Sequence, residues 1–200
     1  MNSVVRMLIV LASVWFAGCA GTYLAKPAEN KNHSGRITAA TVRWIEPQAL
    51  PISISKTAAG YGYTPPKPKI TDKDQMEAAA RVKAVLGAYR QEAPRVLMKG
   101  LADFGVNPGD ETRITIRPVS TSISADNGAV HVAIEVAVRH ADASTDWKIV
   151  PVTHNMTDGA YWSVLRRPGI GQDVDVNLDK LVVSFGDTVV REMRLAGWFR

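Results

Sequence analysis

The chain lacks the parts from which most small secreted scaffolds and many enzymes are built. It has one cysteine in 200 residues, Cys19, which excludes an intramolecular disulfide and a thiol pair for redox chemistry. Its four histidines, His33, His131, His140 and His154, are nowhere spaced like metal ligands, for instance four apart on a helix. No metal or other cofactor is expected. There is no Gly-x-Ser-x-Gly nucleophile turn. Gly169-Ile170-Gly171, which follows Arg166-Arg167, lacks the third glycine and the preceding strand of a dinucleotide loop, so it reads as a surface loop. No block of five like charges occurs, although the net charge is +5. A mild positive balance of this kind favours weak attraction to acidic surfaces rather than nucleic-acid binding. After residue 17 no apolar run approaches the roughly 20 residues that a membrane-crossing helix needs.

What is present starts at the N-terminus. Met1 to Arg6 carries one positive charge, Arg6, and Met7 to Ala17 is an apolar run of 11 residues with Ser13 as its one polar member. That is the length of a signal-peptide core. Phe16-Ala17-Gly18-Cys19 follows it directly. These residues resemble the lipobox of bacterial lipoproteins, in which small side chains precede an obligatory cysteine. The resemblance implies removal of residues 1–18 as a signal peptide, acylation of Cys19 and anchoring in the membrane through its lipid. One position departs from the pattern: Phe16 stands where the lipobox usually has leucine. The other reading is an ordinary signal peptide cut after Ala20, with Gly18 and Ala20 as its small residues. Ala20 stands where the resemblance would put Asp for inner-membrane retention, which points to the outer membrane, facing the periplasm. Losing residues 1–18 removes only Arg6 from the charge count, leaving +4.

Residues 19–35 are polar after the cysteine and read as a flexible tether, and 36–200 as a single α/β domain. Arg36 to Ile45 reads as a strand ended by Pro47, and Ile52 and Ile54 mark a second extended piece. Gly60 to Lys69 is a loop rich in glycine, tyrosine and proline. Val82, Val85, Leu86, Tyr89, Ala93, Leu97, Leu101 and Phe104 recur at steps of three and four, which predicts one helix continuing through Pro94. Thr71 or Asp72 caps its start and Gly105 its end. Thr112 to Ile123 alternates as a strand whose phase slips by one at Pro118, the mark of a bulge. Val130, Val132, Ile134, Val136 and Val138 give the clearest strand of the chain, and Trp147 to Thr153 another. Leu178, Leu181, Val182, Phe185, Val189, Met193 and Ala196 line a closing helix ended by Gly197. The expected class is α+β: one mostly antiparallel sheet with two long amphipathic helices packed on one face, in the order strand, helix, strands, helix.

Two kinds of site follow. Tyr61, Tyr63, Pro65 and Pro66 suit partner contact, because amphipathic aromatics are enriched at interfaces and a proline-rich segment loses little entropy on docking. His140 with Asp142, or His154 with Asp158, would suit general acid–base work in a periplasmic hydrolase only if a nucleophile converged on the pair. Turn polarity is the preferred reading of both pairs. Asp72, Asp74, Asp173 and Asp175 precede helices, where carboxylates suit the positive end of the dipole.

In element order, residues 36–198 resemble small α/β lipoproteins of the bacterial envelope, such as those of lipopolysaccharide assembly and the auxiliary lipoproteins of transport systems. That resemblance implies a non-enzymatic accessory or assembly protein that binds an envelope protein. It carries no signature motif, so it assigns no binding residue.

Overall fold

The computed structural model describes residues 21–26, 36–55, 70–124, 130–140, 147–155 and 173–199. Their strands are β1 (Gly21–Lys26), β2 (Ala39–Trp44), β3 (Ile52–Ser55), β4 (Asn107–Pro108), β5 (Thr112–Ser124), β6 (Val130–His140) and β7 (Trp147–Asn155). Two long helices, α1 (Asp72–Ala102) and α2 (Asp173–Leu195), accompany them. The fold is α+β, as the periodicities predict.

All seven strands join one sheet in the order β1-β7-β6-β5-β2-β4, with β3 also paired to β5. The long pairings, β5 with β6, β6 with β7 and β7 with β1, are antiparallel. The short ones, β2 and β3 on β5 and β4 on β2, are parallel. Two parallel strands need a long crossover between them, and α1 provides it. The strand β1 differs from the sequence expectation, which placed residues 21–26 in a tether. Leu24 packs on the core while Tyr23 and Ala25 face outward, an alternation that suits an edge strand. Ala125 to Gly128, whose sequence suits a turn, lie outside the described residues, as does all but Asn155 of the stretch 155–172, in which Tyr161 to Leu165 could read as a short strand.

The sheet's irregularities fall beside prolines, which cannot donate to a ladder. Pairing of β5 with β6 slips between Pro118 and Ser120, and pairing of β1 with β7 slips after Leu24, which faces Pro151. Opposite Pro118 the parallel neighbour is interrupted too. Residues 46–51 leave the sheet between β2 and β3 and return with Thr121 Oγ1 donating to the Pro51 carbonyl at 3.3 Å.

Both helices bury one stripe. In α1 it runs through Ala78, Val82, Val85, Tyr89, Ala93, Leu97 and Leu101, unbroken across Pro94. Thr71 caps the start: its hydroxyl accepts from the Asp74 N–H, while the Asp74 carboxylate accepts from the Thr71 N–H. Both helices end alike. Gly105 (φ +80°) and Gly197 (φ +84°) take the left-handed conformation that spares a Cβ clash. The following residues donate back across the turn, Val106 to the Leu101 carbonyl and Trp198 to the Met193 carbonyl. Between the helices, Val96 presses on Gly186 and Val190 on Gly100, where an added Cβ would lie 2.6 and 2.9 Å from a valine methyl. These matched pairs make α1 and α2 run in the same direction at close range.

Tyr89 ties the layers together. Its ring meets Phe185 edge-on at 5.4 Å, and its hydroxyl donates to the Leu181 carbonyl at 3.5 Å. Burial pushes its phenol well above the ordinary value, with a hydrogen bond to Thr153 acting in the opposite sense. The native state therefore keeps the proton that the unfolded chain loses near pH 10, roughly. Stability is expected to fall from there upward by about 1.4 kcal/mol per pH unit. Tyr89→Phe should cost about 1 kcal/mol at neutral pH and flatten that alkaline decline. Urea unfolding at pH 8 and pH 11 checks both, and an unchanged alkaline slope in the variant would refute the assignment.

Candidate functional site

The helices cover one face of the sheet. Among the described residues no element packs on the other. Alternation assigns that open face to Thr41 and Arg43 of β2, Arg113, Thr115 and Arg117 of β5, Ala133, Glu135, Ala137 and Arg139 of β6, and Lys148 of β7. Register then aligns them in rows. One row runs Arg43, Thr115, Ala137, Lys148. The next sets Arg113 directly opposite Arg139. On the other side Arg117 donates to Glu135 at 2.8 Å. The outcome is a surface with small residues in the middle, basic side chains around them and Glu135 as the one acid among the residues named.

The open face ends at β1. There Tyr23 is 52% exposed and stands opposite Val152, and Gly21 is in register with His154, itself opposite His131. Cys19 lies outside the described residues, two positions before Gly21. Tyr61, Tyr63, Pro65 and Pro66 also lie outside them.

The histidine pairs fare differently. His140 is on β6, on the helix-facing side and buried, and its Nε2 is 3.9 Å from Glu111 Oε1. Asp142 lies outside the described residues. Glu111 is otherwise engaged in tying down β2: Thr38 Oγ1 donates to its Oε2 at 2.5 Å and the Ala39 N–H at 3.1 Å. The order Thr38, Glu111, His140 puts the carboxylate between hydroxyl and imidazole. A nucleophilic triad needs the imidazole in the middle. No local signal marks Glu111, since it lies 29 positions from His140 and only strand pairing brings them together. His154 is placed on β7, and Asp158 lies outside the described residues. Among the described residues no group of three or more His, Cys, Asp or Glu side chains could hold a metal ion, and no helix is long and apolar enough to cross a membrane.

A second feature is a groove of about 410 Å³ between α1 and residues 46–52, walled by Trp44, Pro47, Leu50, Ile52, Val82 and Leu86. Arg90 and Glu46 pair across its rim at 3.0 Å. The indole Nε1 of Trp44 is buried there without a hydrogen-bond partner among the described residues.

No protein-family model matches the chain, and no curated protein matches it. Among solved structures it is similar to a dodecamer of a PelC point variant from Paraburkholderia phytofirmans. The identity is 10% over 83% of this chain and 96% of that one, with a TM-score of 0.30. A superposition that loose supports no functional statement, so function has to be read from this chain's own residues.

Proposed function

We propose that the protein is a lipoprotein of the bacterial envelope, anchored through acyl chains on Cys19 to the outer membrane and facing the periplasm. There it acts as a non-enzymatic accessory or assembly protein that binds an envelope protein. The observation that carries this reading is in the sequence. An apolar run of 11 residues leads straight to Gly18-Cys19, and that cysteine is the chain's single one. A lone exposed thiol in an oxidising compartment is a liability unless it is used. Several acyl chains anchor a protein stably without a spanning helix. The loop carrying Tyr61, Tyr63, Pro65 and Pro66 is the proposed partner contact. A hydrolase centred on His140 or His154 is the rival, and no described geometry favours it.

The test is in-cell crosslinking of the membrane-extracted protein, followed by mass spectrometry, with Cys19→Ser as control. The expected result is an N-terminal peptide carrying acyl mass and one specific envelope protein crosslinked near residues 60–69. An unmodified Cys19 would end the lipoprotein reading. A protein that crosslinks to nothing, and loses a hydrolytic activity in His140→Ala or His154→Ala, would put the rival first.

A further inference from the structure

The sheet face that no described element covers and the start of β1 belong to one surface. We propose that this face lies on the membrane and binds the anionic phosphate headgroups of its lipids, so that the domain rests flat beside its own anchor. The proposal builds on the anchoring of Cys19 put forward above, and it adds an orientation and a ligand chemistry.

Three observations carry it. The first is reach. Gly21 already belongs to the sheet, paired with His154. Two residues of chain span at most about 7 Å, so a lipid on Cys19 would hold the sheet edge at headgroup level. A long free tether would have left the domain's orientation open, and β1 takes that freedom away. The second is charge. Arg43, Arg113, Arg117, Arg139 and Lys148 share the face with Glu135 alone among its acids in the described strands, and Arg113 and Arg139 stand directly opposite each other. Guanidinium groups grouped on one face suit phosphates, which they bind as forked donors. The third is the distribution along the face. Tyr23 lies beside the anchor, exposed, and aromatic rings of that kind settle at the headgroup boundary. The basic cluster lies towards the other end of β6. His131 to Arg139 spans eight strand steps, roughly 26 Å. Only a domain lying on its sheet brings both ends to the bilayer. One standing on its β1 end would hold the arginines beyond the roughly 8–10 Å over which surface charge acts.

The experiment uses the full chain with Cys19→Ser, so that no acyl chain contributes. Cosedimentation is measured with vesicles of phosphatidylcholine alone and of equimolar phosphatidylcholine and phosphatidylglycerol, at low and high salt. Two triple variants remove the same charge from opposite layers. Arg43→Gln, Arg113→Gln and Lys148→Gln strip the face, and Arg81→Gln, Lys83→Gln and Lys180→Gln strip the exposed sides of the helices. All six side chains are outside the hydrophobic core, and circular dichroism melts confirm that both variants fold. Salt-sensitive preference for the anionic vesicles is expected. The face variant should lose it by roughly a hundredfold, at about fivefold per basic residue, while the helix variant retains it. No preference for anionic vesicles, or equal loss in both variants, would overturn the proposal. So would binding to a soluble acidic polymer such as polyglutamate that exceeds binding to vesicles, since it would assign the face to an acidic macromolecule. The mass of the wild-type N-terminal peptide is read separately, so a failed headgroup site and a failed anchor give different results.

Discussion

Cys19→Ser is expected to abolish tight membrane association. Each acyl CH₂ buried in the bilayer contributes about 0.8 kcal/mol, so two or more chains hold a protein through an alkaline wash that strips peripheral proteins. Without them, the 11-residue apolar run of the leader is too short to span the hydrocarbon core. Headgroup contacts of the sheet face would then be the remaining attachment, and high salt would release them. The check is the fraction of protein retained in membranes after an alkaline, high-salt wash, together with the mass of the N-terminal peptide. The other processing reading makes the opposite forecast. If the leader is cut after Ala20, Cys19 leaves with it, and the mature chain begins at Gly21, the first residue of β1. Wild type and Cys19→Ser would then give the same mature mass and the same soluble protein, and the anchor would be refuted.

Trp198→Ala is expected to cost about 3–5 kcal/mol, the largest stability effect of a single truncation foreseen in this domain. Trp198 is fully buried just beyond α2 and meets Trp147 of β7 edge-on, with ring centres 6.4 Å apart. Its backbone closes two connections: its N–H donates to the Met193 carbonyl, and its carbonyl accepts from the Ile37 N–H at 3.0 Å. The next residue, Phe199, packs 4.8 Å from Phe104 at the end of α1. The end of the chain thus ties α2 to the residues before β2 and to the end of α1. A void left by the indole cannot close without moving all three. For a domain of this size each kcal/mol lowers the melting temperature by about 2–4 °C, so a drop near 10 °C or more is expected. Arg191→Ala, on the exposed side of α2, should change stability by no more than about 0.5 kcal/mol. A Trp198→Ala protein melting within two degrees or so of wild type would show that the C-terminal residues do not carry the core.

The periodic parts of the fold were legible because burial imposes a period on the sequence. The stripe from Val82 to Phe104 gave α1, and it ran on through Pro94 because apolar positions on both sides of the proline kept the same phase. The alternation from Val130 to Val138 gave β6 and told its two faces apart. The phase slip at Pro118 gave the bulge. Gly105 and Gly197 marked the helix ends, since few other residues enter positive φ cheaply. Trp198 and Phe199 belong to the core without any periodicity to mark them. They follow the closing glycine, where periodicity has already ended, and a tight turn rather than a repeat brings them inward.

The candidate surface divides along the same line. The proposed leader and its cysteine, Cys19, are read from local order alone, because a signal of that kind is a linear segment. The arginines at positions 43, 113, 117 and 139 each read as ordinary solvated strand residues. Nothing local tells Arg113 that it will stand opposite Arg139, or that Lys148 will close a row begun by Arg43. Likewise β1 was hidden in a polar stretch, since six residues make a strand only when a neighbour such as β7 offers its edge. By itself, then, the sequence determined the two helices, the strong strands and the inward side of each. Tertiary structure alone decided which strands run parallel, how closely the two helices approach and which charges share a face. Patterning records whether a residue is buried, a property of one residue and its near neighbours, whereas register and pairing belong to segments that the chain keeps far apart until it folds.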